Sequence, residues 1–304
     1  MASGSQKVII AALIGNGLIS ITKFFAAFTT GSSAMLSEGV HSLVDTGNQV
    51  LLLFGLKQAK KPADEKFPFG HGKEIYFWSF IVSILIFAIG AGISIYEGVH
   101  HILHPSELSD PTINYIVLGL AMIFEGGALY FAVVEFNKVR GKAKMSALDA
   151  VKKGKDPTLF VVLFEDSAAM LGLFVAFIGI WLAHSTGILW FDGAASVLIG
   201  CILGGTAIWL AFETKGLLIG ESANPEIVEG IKGILKGQKG IEKTNEVLTL
   251  HMGPEFILAT ISVEFKDKLK TGELENIIHI VTKEIKGEFP RVKRVFIEAE
   301  DRNA

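Results

Sequence analysis

The sequence predicts a polytopic α-helical membrane protein with six transmembrane helices and a small α/β domain at its C-terminal end. Half of the 304 residues are hydrophobic, and the mean hydropathy is +0.47. Charge is unevenly distributed, since residues 222–304 hold 27 of the 59 Asp, Glu, Lys and Arg residues. This composition excludes a disordered chain, a collagen-like fibre and a disulfide scaffold. We therefore expect a transmembrane domain over 1–217 and a cytoplasmic domain over 218–304.

Six apolar runs are each long enough to cross a bilayer as a helix, which takes about 20 residues. They fall at about 8–29, 34–56, 76–102, 113–135, 158–183 and 190–215. Backbone groups in lipid must bond within their own segment, and this favours helices. Because the first residues lead directly into a span of full length, we expect a first transmembrane helix there and no cleavable signal peptide.

The distribution of Lys and Arg predicts the orientation of the spans. The connections 57–75 and 136–157 carry five and seven basic residues, and the other three connections carry none. The positive-inside rule then places both termini in the cytoplasm. We expect an integral protein of the bacterial inner membrane. The net charge of −3 gives no attraction to nucleic acid, and the single Cys201 cannot form an internal disulfide.

The C-terminal segment has the pattern α-β-β-α-β. Asn224 and Pro225 are typical of a helix start, and they precede EIVEGIKGILKG. KTNEVLTLHM and FILATISVEF are typical of strands, ELENIIHIVTKEIKGEF of an amphipathic helix and VKRVFIEAE of a last strand. About 80 residues make a modest core, which favours dimerisation.

Ionisable residues inside the spans are the candidate functional residues, because such groups are costly in lipid. In the second span, His41 and Asp45 lie about 40° apart on one helix face, and Glu38 lies one turn earlier. An imidazole and a carboxylate at i, i+4 form half of a tetrahedral site for a metal such as zinc. The fifth span carries adjacent Glu165 and Asp166, with no Lys or Arg nearby in that span.

Three further polar residues lie within spans. Glu125 is either a proton-pathway group or the donor of an interhelical hydrogen bond, and the sequence leaves both interpretations open. Asn16 is expected to bridge helices. Lys23 is expected to snorkel to the membrane surface or to pair with a carboxylate.

Near the outer membrane edge, Glu97 and Asp192 are expected to be solvated rather than to bind a ligand. His100, His101 and His104 form a cluster there, followed by a proline. These imidazoles are capable of collecting or releasing metal, but the sequence favours a solvated loop.

Two long motifs resemble the cation diffusion facilitator family of divalent-metal/proton antiporters: GSSAMLSEGVHSLVDTGNQ in the second span and FPFGHGKEIYFWS entering the third. The resemblance covers essentially the whole chain. It implies six spans with both termini inside, a metallochaperone-like C-terminal domain and a homodimer. It also implies Zn²⁺ efflux driven by proton entry, with Zn²⁺ as the transported substrate and no organic cofactor.

The family's transport site uses one i, i+4 pair on the second span and another on the fifth. His41 and Asp45 match the first pair, and Asp166 matches the carboxylate of the second. Val162 stands where relatives commonly carry His or Asp, and Glu165 is the nearest substitute. The Glu-Asp pair resembles the branch that includes the eukaryotic mitochondrial zinc transporter. The resemblance implies four metal ligands, His41, Asp45, Glu165 and Asp166, with Glu38, Glu125 and Asn16 in supporting or proton-pathway roles.

Two other metal sites of relatives are incomplete in this sequence. In the loop after the second span, Asp64 and His71 match, but Phe67 replaces a His, so we expect a weak site there or a structural role for His71. The positions that bridge subunits in relatives are here Asn245, Ser262, Glu275, Glu298 and Glu300. Without His among them, we expect Glu275, Glu298 and Glu300 to form a weak site at most, and a solvated strand end is favoured.

Three alternatives to zinc transport remain open. A carboxylate-rich site also suits an Fe²⁺, Mn²⁺, Co²⁺ or Cd²⁺ exporter. A membrane metalloenzyme is disfavoured because the sequence has no His-Glu-x-x-His helix, and we expect the chain not to be an enzyme. A non-transporting sensor or scaffold is disfavoured by His41 and Asp45. The expected partners are a second copy of the chain, the bilayer, divalent metal ions and protons, and no nucleic acid.

Overall fold

The computed structural model describes residues 2–105, 110–143 and 157–300. The chain divides into two compact units. A helical unit contains residues up to 56 together with 77–214, and a second unit contains 57–76 together with the residues from 215 onward. The second unit thus includes the loop that carries Asp64 and His71.

Long helices form the first unit and extend a few residues beyond it. Within the described ranges they are α1 (Ala2–Thr30), α2 (Ser33–Ala59), α3 (Glu74–Leu103), α4 (Thr112–Ala143), α5 (Pro157–Thr186) and α6 (Trp190–Ile219). Each coincides with one of the six predicted segments. Among the described residues, α3, α5, α6 and the part of α4 up to Val134 are apolar and long enough to cross a membrane. The six-span count therefore stays a prediction, since α2 carries many polar residues.

The outer surface of these helices is apolar, and their interior contains charged and polar side chains among apolar ones. Large side chains such as Phe28, Phe131 and Phe212 are more than 70% exposed. Lys23 and Glu38 are completely buried between the helices. A soluble protein has the opposite distribution, and charged groups in a bilayer almost always face the bundle interior. The chain is an integral membrane protein.

The third helix contains a π-helical segment, Ile86–Ala91, which the sequence did not predict. Such segments widen one turn and occur frequently at functional sites. Just beyond it, α3 packs very closely on α6 at Gly98 and Gly193, where an added Cβ would approach the backbone of the other helix to 2.6 and 2.8 Å. Small residues permit this close approach, as is common between helices in membranes.

The second unit has the predicted α-β-β-α-β order. Its elements are α7 (Pro225–Lys236), β1 (Ile241–Gly253), β2 (Phe256–Phe265), α8 (Thr271–Glu288) and β3 (Val292–Ala299). β1 and β2 are antiparallel, whereas β2 and β3 are parallel because α8 provides the crossover. The core lies between the helices and the sheet and includes Ile231, Ile261 and Ile285.

The segment 57–76 packs on this α/β fold through its glycines. A Cβ on Gly72 would collide with the carbonyl oxygen of Met252, and Gly70 adopts a left-handed φ of +83° that favours glycine. The Lys73 ammonium also donates a hydrogen bond to the Leu218 carbonyl at 3.4 Å. The loop is therefore part of the second unit rather than a free connection.

Candidate metal centre

The centre of the helical unit contains the imidazole–carboxylate pair predicted on α2. His41 Nδ1 lies 3.3 Å from Asp45 Oδ1, and both side chains are buried. Neither ring nitrogen of His41 has a hydrogen-bond partner among the described residues, and the same holds for Asp45 Oδ1. Buried polar atoms without partners are rare, and they indicate a ligand that completes the site.

Helix α5 brings Glu165 to this pair. The carboxyl groups of Asp45 and Glu165 are within hydrogen-bonding reach of each other. Asn48 Nδ2 donates to Glu165 Oε1 at 2.6 Å and fixes that side chain. Sequence reasoning missed Asn48, although its position three residues after Asp45 on the same helix face was a signal.

Asp166 follows Glu165 on α5 but points about 100° away around the helix. Its side chain is half-buried, as is Val162, and it interacts electrostatically with Glu165 and Glu125. Among the described residues, no three His, Cys, Asp or Glu side chains converge closely enough to hold a metal ion. The structure thus places His41 beside Asp45 and Asp45 beside Glu165. The four-ligand set stays a prediction.

Glu38 is held by a buried ion pair. Lys23 Nζ on α1 lies 3.0 Å from Glu38 Oε2 and donates to Ser42 Oγ at 2.7 Å. Both charged side chains are completely buried. Of the two alternatives for Lys23, pairing with a carboxylate is confirmed. Gly172 on α5 makes room for this pair, because an added Cβ would collide with Glu38 Oε1.

Two residues with predicted supporting roles occupy different surroundings. Glu125 on α4 is buried and interacts electrostatically with Glu38, Asp45 and Glu165. Asn16 is half-buried on α1. The acidic groups of the centre thus come from three helices, α2, α4 and α5.

Asp192 is completely buried, so the expectation of a solvated residue was wrong. Its carboxylate accepts hydrogen bonds from Ser32 Oγ at 2.6 Å, from Ser33 N at 2.6 Å and from Ser33 Oγ at 2.8 Å. The carboxylate at the start of α6 therefore caps the N-terminus of α2, where a negative charge is favourable. The two serines before an apolar helix were the sequence signal for this cap.

The histidine cluster follows on α3, and the expectation of a solvated loop was wrong for most of it. Glu97, His100 and His101 are helical, and His104 is the C-cap residue. His101 is only 7% exposed, and its Nε2 lies 3.8 Å from Asp192 Oδ2. His100 and His104 are exposed, and Glu97 is half-buried.

In the second unit, Asp64 and His71 form a pair in the loop. Asp64 Oδ2 lies 3.0 Å from His71 Nε2, and Asp64 Oδ1 accepts from Phe67 N at 2.7 Å. The hydrogen bond with His71 is the main cause that lowers the pKa of Asp64, and the bond from Phe67 N adds to it. The Phe67 ring lies 4.6 Å from the His71 ring, where it covers the imidazole.

The predicted carboxylate site of the C-terminal domain is divided in the structure. Asn245 Nδ2 donates to Ser262 Oγ at 3.3 Å and to the Glu300 carbonyl at 2.9 Å. Ser262 Oγ donates to Glu300 Oε2 at 2.5 Å. Glu275 and Glu298 are exposed. Glu300 thus belongs to a hydrogen-bonded network, and the weak metal site stays a prediction.

Buried ionisable groups inside an apolar bundle define a membrane protein that handles ions. The comparison with known families agrees, because the cation efflux transmembrane domain matches residues 9–219. The chain belongs to the cation efflux family. This confirms the predicted resemblance and places the chain among transport proteins rather than enzymes.

Several curated proteins are similar over most of the chain. The mitochondrial proton-coupled zinc antiporter SLC30A9 of Xenopus laevis is 33% identical over 268 residues, which cover 88% of this chain and 48% of that protein. The human protein of the same name is 32% identical over 268 residues, with 88% and 47% covered. The chain spans about half the length of these relatives. The manganese efflux system protein MneP of Bacillus subtilis is 23% identical over 299 residues, with 96% and 95% covered.

Proposed function

We propose that this protein exports divalent metal cations by exchanging them for protons, with Zn²⁺ as its main substrate. The observation that carries this proposal is the set of buried polar atoms at His41 and Asp45 that lack partners among the described residues. Leaving one such atom unpaired costs about 1–3 kcal/mol. A bound cation would compensate this cost, because it takes the unpaired nitrogen and oxygen atoms as ligands.

The proposed ligands are His41, Asp45, Glu165 and Asp166. His41 lies beside Asp45, and Asp45 lies beside Glu165. Zinc accepts four-coordinate sites built from nitrogen and oxygen. Asp166 is half-buried and interacts electrostatically with Glu165 and Glu125, which supports its place in the same acidic centre. Asn48 holds Glu165 in place through a hydrogen bond to its Oε1 atom.

Proton coupling follows from the contact between Asp45 and Glu165. Asp45 and Glu165 are buried beside each other, and one proton between them would relieve the repulsion of two negative charges. Metal ligands must be deprotonated, so cation binding releases that proton and reprotonation releases the cation. Glu125 is the proposed proton-pathway group, while the ion pair with Lys23 keeps Glu38 in a fixed, supporting role.

A harder ion such as Mn²⁺ is the second candidate substrate. Three of the four proposed ligands are carboxylates, and oxygen ligands suit manganese better than imidazole does. The relative MneP is named a manganese efflux protein and covers nearly the whole chain. Fe²⁺, Co²⁺ and Cd²⁺ are tested in the same experiment.

We also propose a homodimer in which both termini lie on the side of the Lys-rich connections. The modest core of the α/β domain and the family resemblance support a dimer, and the basic connections support the orientation. In this proposal 1–217 transports the ion and 218–304 is a cytoplasmic domain. The names of the similar SLC30A9 proteins include the word mitochondrial and give no support to a bacterial inner membrane, which stays a prediction.

Flux into proteoliposomes tests the function. Purified protein is reconstituted, a proton gradient is imposed, and entry of each divalent cation is followed with a trapped indicator. We expect Zn²⁺ flux that requires the pH gradient and moves protons in the opposite direction. Absence of flux for every cation would leave a sensor, a scaffold or an enzyme as the better interpretation. Faster Mn²⁺ than Zn²⁺ flux would favour the second candidate.

A further inference from the structure

A second cluster of metal-binding side chains lies at the end of the helical unit where α3 finishes. A cavity of about 340 Å³ is bordered there by Glu97, His100, His101 and His104 of α3 and by Ser32 and Ser33 before and at the start of α2. All these residues belong to the helical unit. None of them is a proposed ligand of the transport site, so the function proposed above leaves this cluster unexplained.

The spacing of the four α3 residues places them on one face. His100 and His104 are four residues apart, and their ring centroids are separated by 4.9 Å. Glu97 precedes His100 by one turn. Imidazoles at i, i+4 with a carboxylate one turn away provide nitrogen and oxygen ligands of the types that zinc prefers.

His101 provides an independent observation. Its side chain is 93% buried, and its Nε2 has no hydrogen-bond partner among the described residues. The neighbouring Asp192 carboxylate, 3.8 Å away, already accepts bonds from Ser32 and Ser33. His101 borders the cavity, and its unpaired ring nitrogen is therefore available to a cation.

The charge around this cavity is negative. The connections 31–32, 104–111 and 187–189 contain no Lys or Arg, whereas 57–73 contains five Lys. Asp110 and Asp192 add negative charge at this end of the unit, and the first is exposed. Such a distribution attracts divalent cations and leaves no ammonium group in these connections to compete for the imidazoles.

We propose that His100 and His104, assisted by Glu97 and His101, form a low-affinity divalent-cation site at this end of the helical unit. The described side chains do not converge on a three-ligand geometry, but His100 and His104 are exposed, and exposed side chains change rotamer within nanoseconds. Zn²⁺ closes the pair around itself. The site receives the ion after it leaves the central ligands; this role rests on the proposed function, and the binding itself does not.

Metal binding by the full chain tests the site. The variant Asp45→Ala/Asp166→Ala removes central ligands, and calorimetry with Zn²⁺ then reports the remaining sites. We expect micromolar binding and, with Co²⁺, the absorption of a nitrogen-ligated ion. Adding His100→Ala/His104→Ala is expected to weaken this binding at least tenfold. His184→Ala, an exposed His on α5, is the matched control and is expected to change nothing.

Unchanged Zn²⁺ affinity after His100→Ala/His104→Ala, or equal loss in the His184→Ala control, would overturn the proposal. His100→Gln/His104→Gln, which keeps polar side chains on the exposed helix face, guards against misfolding and is expected to lose binding equally. If the wild-type protein shows no cation flux but the double-alanine background binds Zn²⁺ through these histidines, the transport proposal fails and this site stands. If the wild-type protein transports cations but His100→Ala/His104→Ala leaves Zn²⁺ binding unchanged, the transport proposal stands and this site fails.

Discussion

Two polar clusters of this protein, one in each unit, differ in how completely they are satisfied. Around His41 and Asp45, three buried atoms lack hydrogen-bond partners among the described residues. In the α/β domain, Asn245 Nδ2 donates to Ser262 Oγ and Ser262 Oγ donates to Glu300 Oε2, so that in this cluster only Asn245 Oδ1 lacks a partner among the described residues. The comparison teaches that similar residue types can be left unpaired or bonded to one another: the first cluster fits the proposed ion site, and the second links β1 and β2 to the end of β3.

The largest expected effect is the loss of transport when a carboxylate of the first cluster is removed. Asp45→Ala or Asp166→Ala should reduce Zn²⁺ flux by at least a hundredfold, because the ion loses a charged ligand. Glu298→Ala, an exposed carboxylate of the α/β domain, is the matched control and should retain flux. Proteoliposome assays on folded variants measure both, and near-normal flux in either first-cluster variant would contradict the ligand assignment.

A buried charge without its partner should cause the next largest effect, this time on stability. Lys23→Met leaves Glu38 buried and unpaired, and removing one partner of a buried ion pair costs about 3–5 kcal/mol. Thermal unfolding in detergent should show a clear loss. The double variant Lys23→Met/Glu38→Gln should recover most of it, and failure to recover would show that Lys23 stabilises the bundle by another contact.

Glu165 should affect metal affinity rather than folding. Glu165→Gln is expected to weaken Zn²⁺ binding at least tenfold, about 1.4 kcal/mol, because it removes a charged ligand. Asn48→Ala, which frees Glu165 from its hydrogen bond, should have a smaller effect. If Glu165 carries protons instead, affinity at high pH survives and proton-coupled flux falls. Unchanged affinity with unchanged pH dependence would refute both roles.

The exposed carboxylates of the α/β domain, Glu275 and Glu298, should make no difference to assembly. We expect the full chain to be a dimer in detergent with a chelator present, and added Zn²⁺ should leave its mass unchanged. Carboxylates on a solvated strand edge bind zinc weakly compared with imidazoles or thiolates. Light scattering coupled to size exclusion measures the mass. A monomer that dimerises only with Zn²⁺, and not in Glu275→Gln/Glu298→Gln, would show a bridging site.

The smallest effect concerns the loop pair Asp64–His71. Because the hydrogen bond with His71 lowers the pKa of Asp64 in the folded protein, its stabilisation is present above the unfolded value of about 3.9 and is lost below it. The protection factors of the amides in 57–76, which compare the observed exchange with the intrinsic rate at the same pH, should therefore stay constant from pH 7 to pH 5. Asp64→Asn should have slightly lower protection at both pH values, and a change of protection between them in the wild type would contradict the assignment.

Local pattern predicted the helices, the order of the α/β domain and the pairing of His41 with Asp45, since these depend on nearby residues. The missing features depend on long-range contacts. Asn48 meets Glu165 across 117 positions of sequence, and Ser32 meets Asp192 across 160. Residue type and hydropathy predict the helix face on which each of these residues lies. They do not predict which residue of another helix it contacts, because that depends on tertiary packing.

The contacts between α2 and α6 determine how these helices can move. Ser33 bonds to Asp192, and Ser37 bonds to Ser196, one helical turn further along both helices. A slide of one helix past the other by less than a full turn, about 5.4 Å, would break both bonds at once, and Ser37 and Ser196 are fully buried, so no water would replace theirs. Small displacements of α2 along α6 are thus disfavoured. In the proposed transport cycle, α2 and α6 should tilt together as one rigid body when the central ligands become accessible from the other side of the membrane.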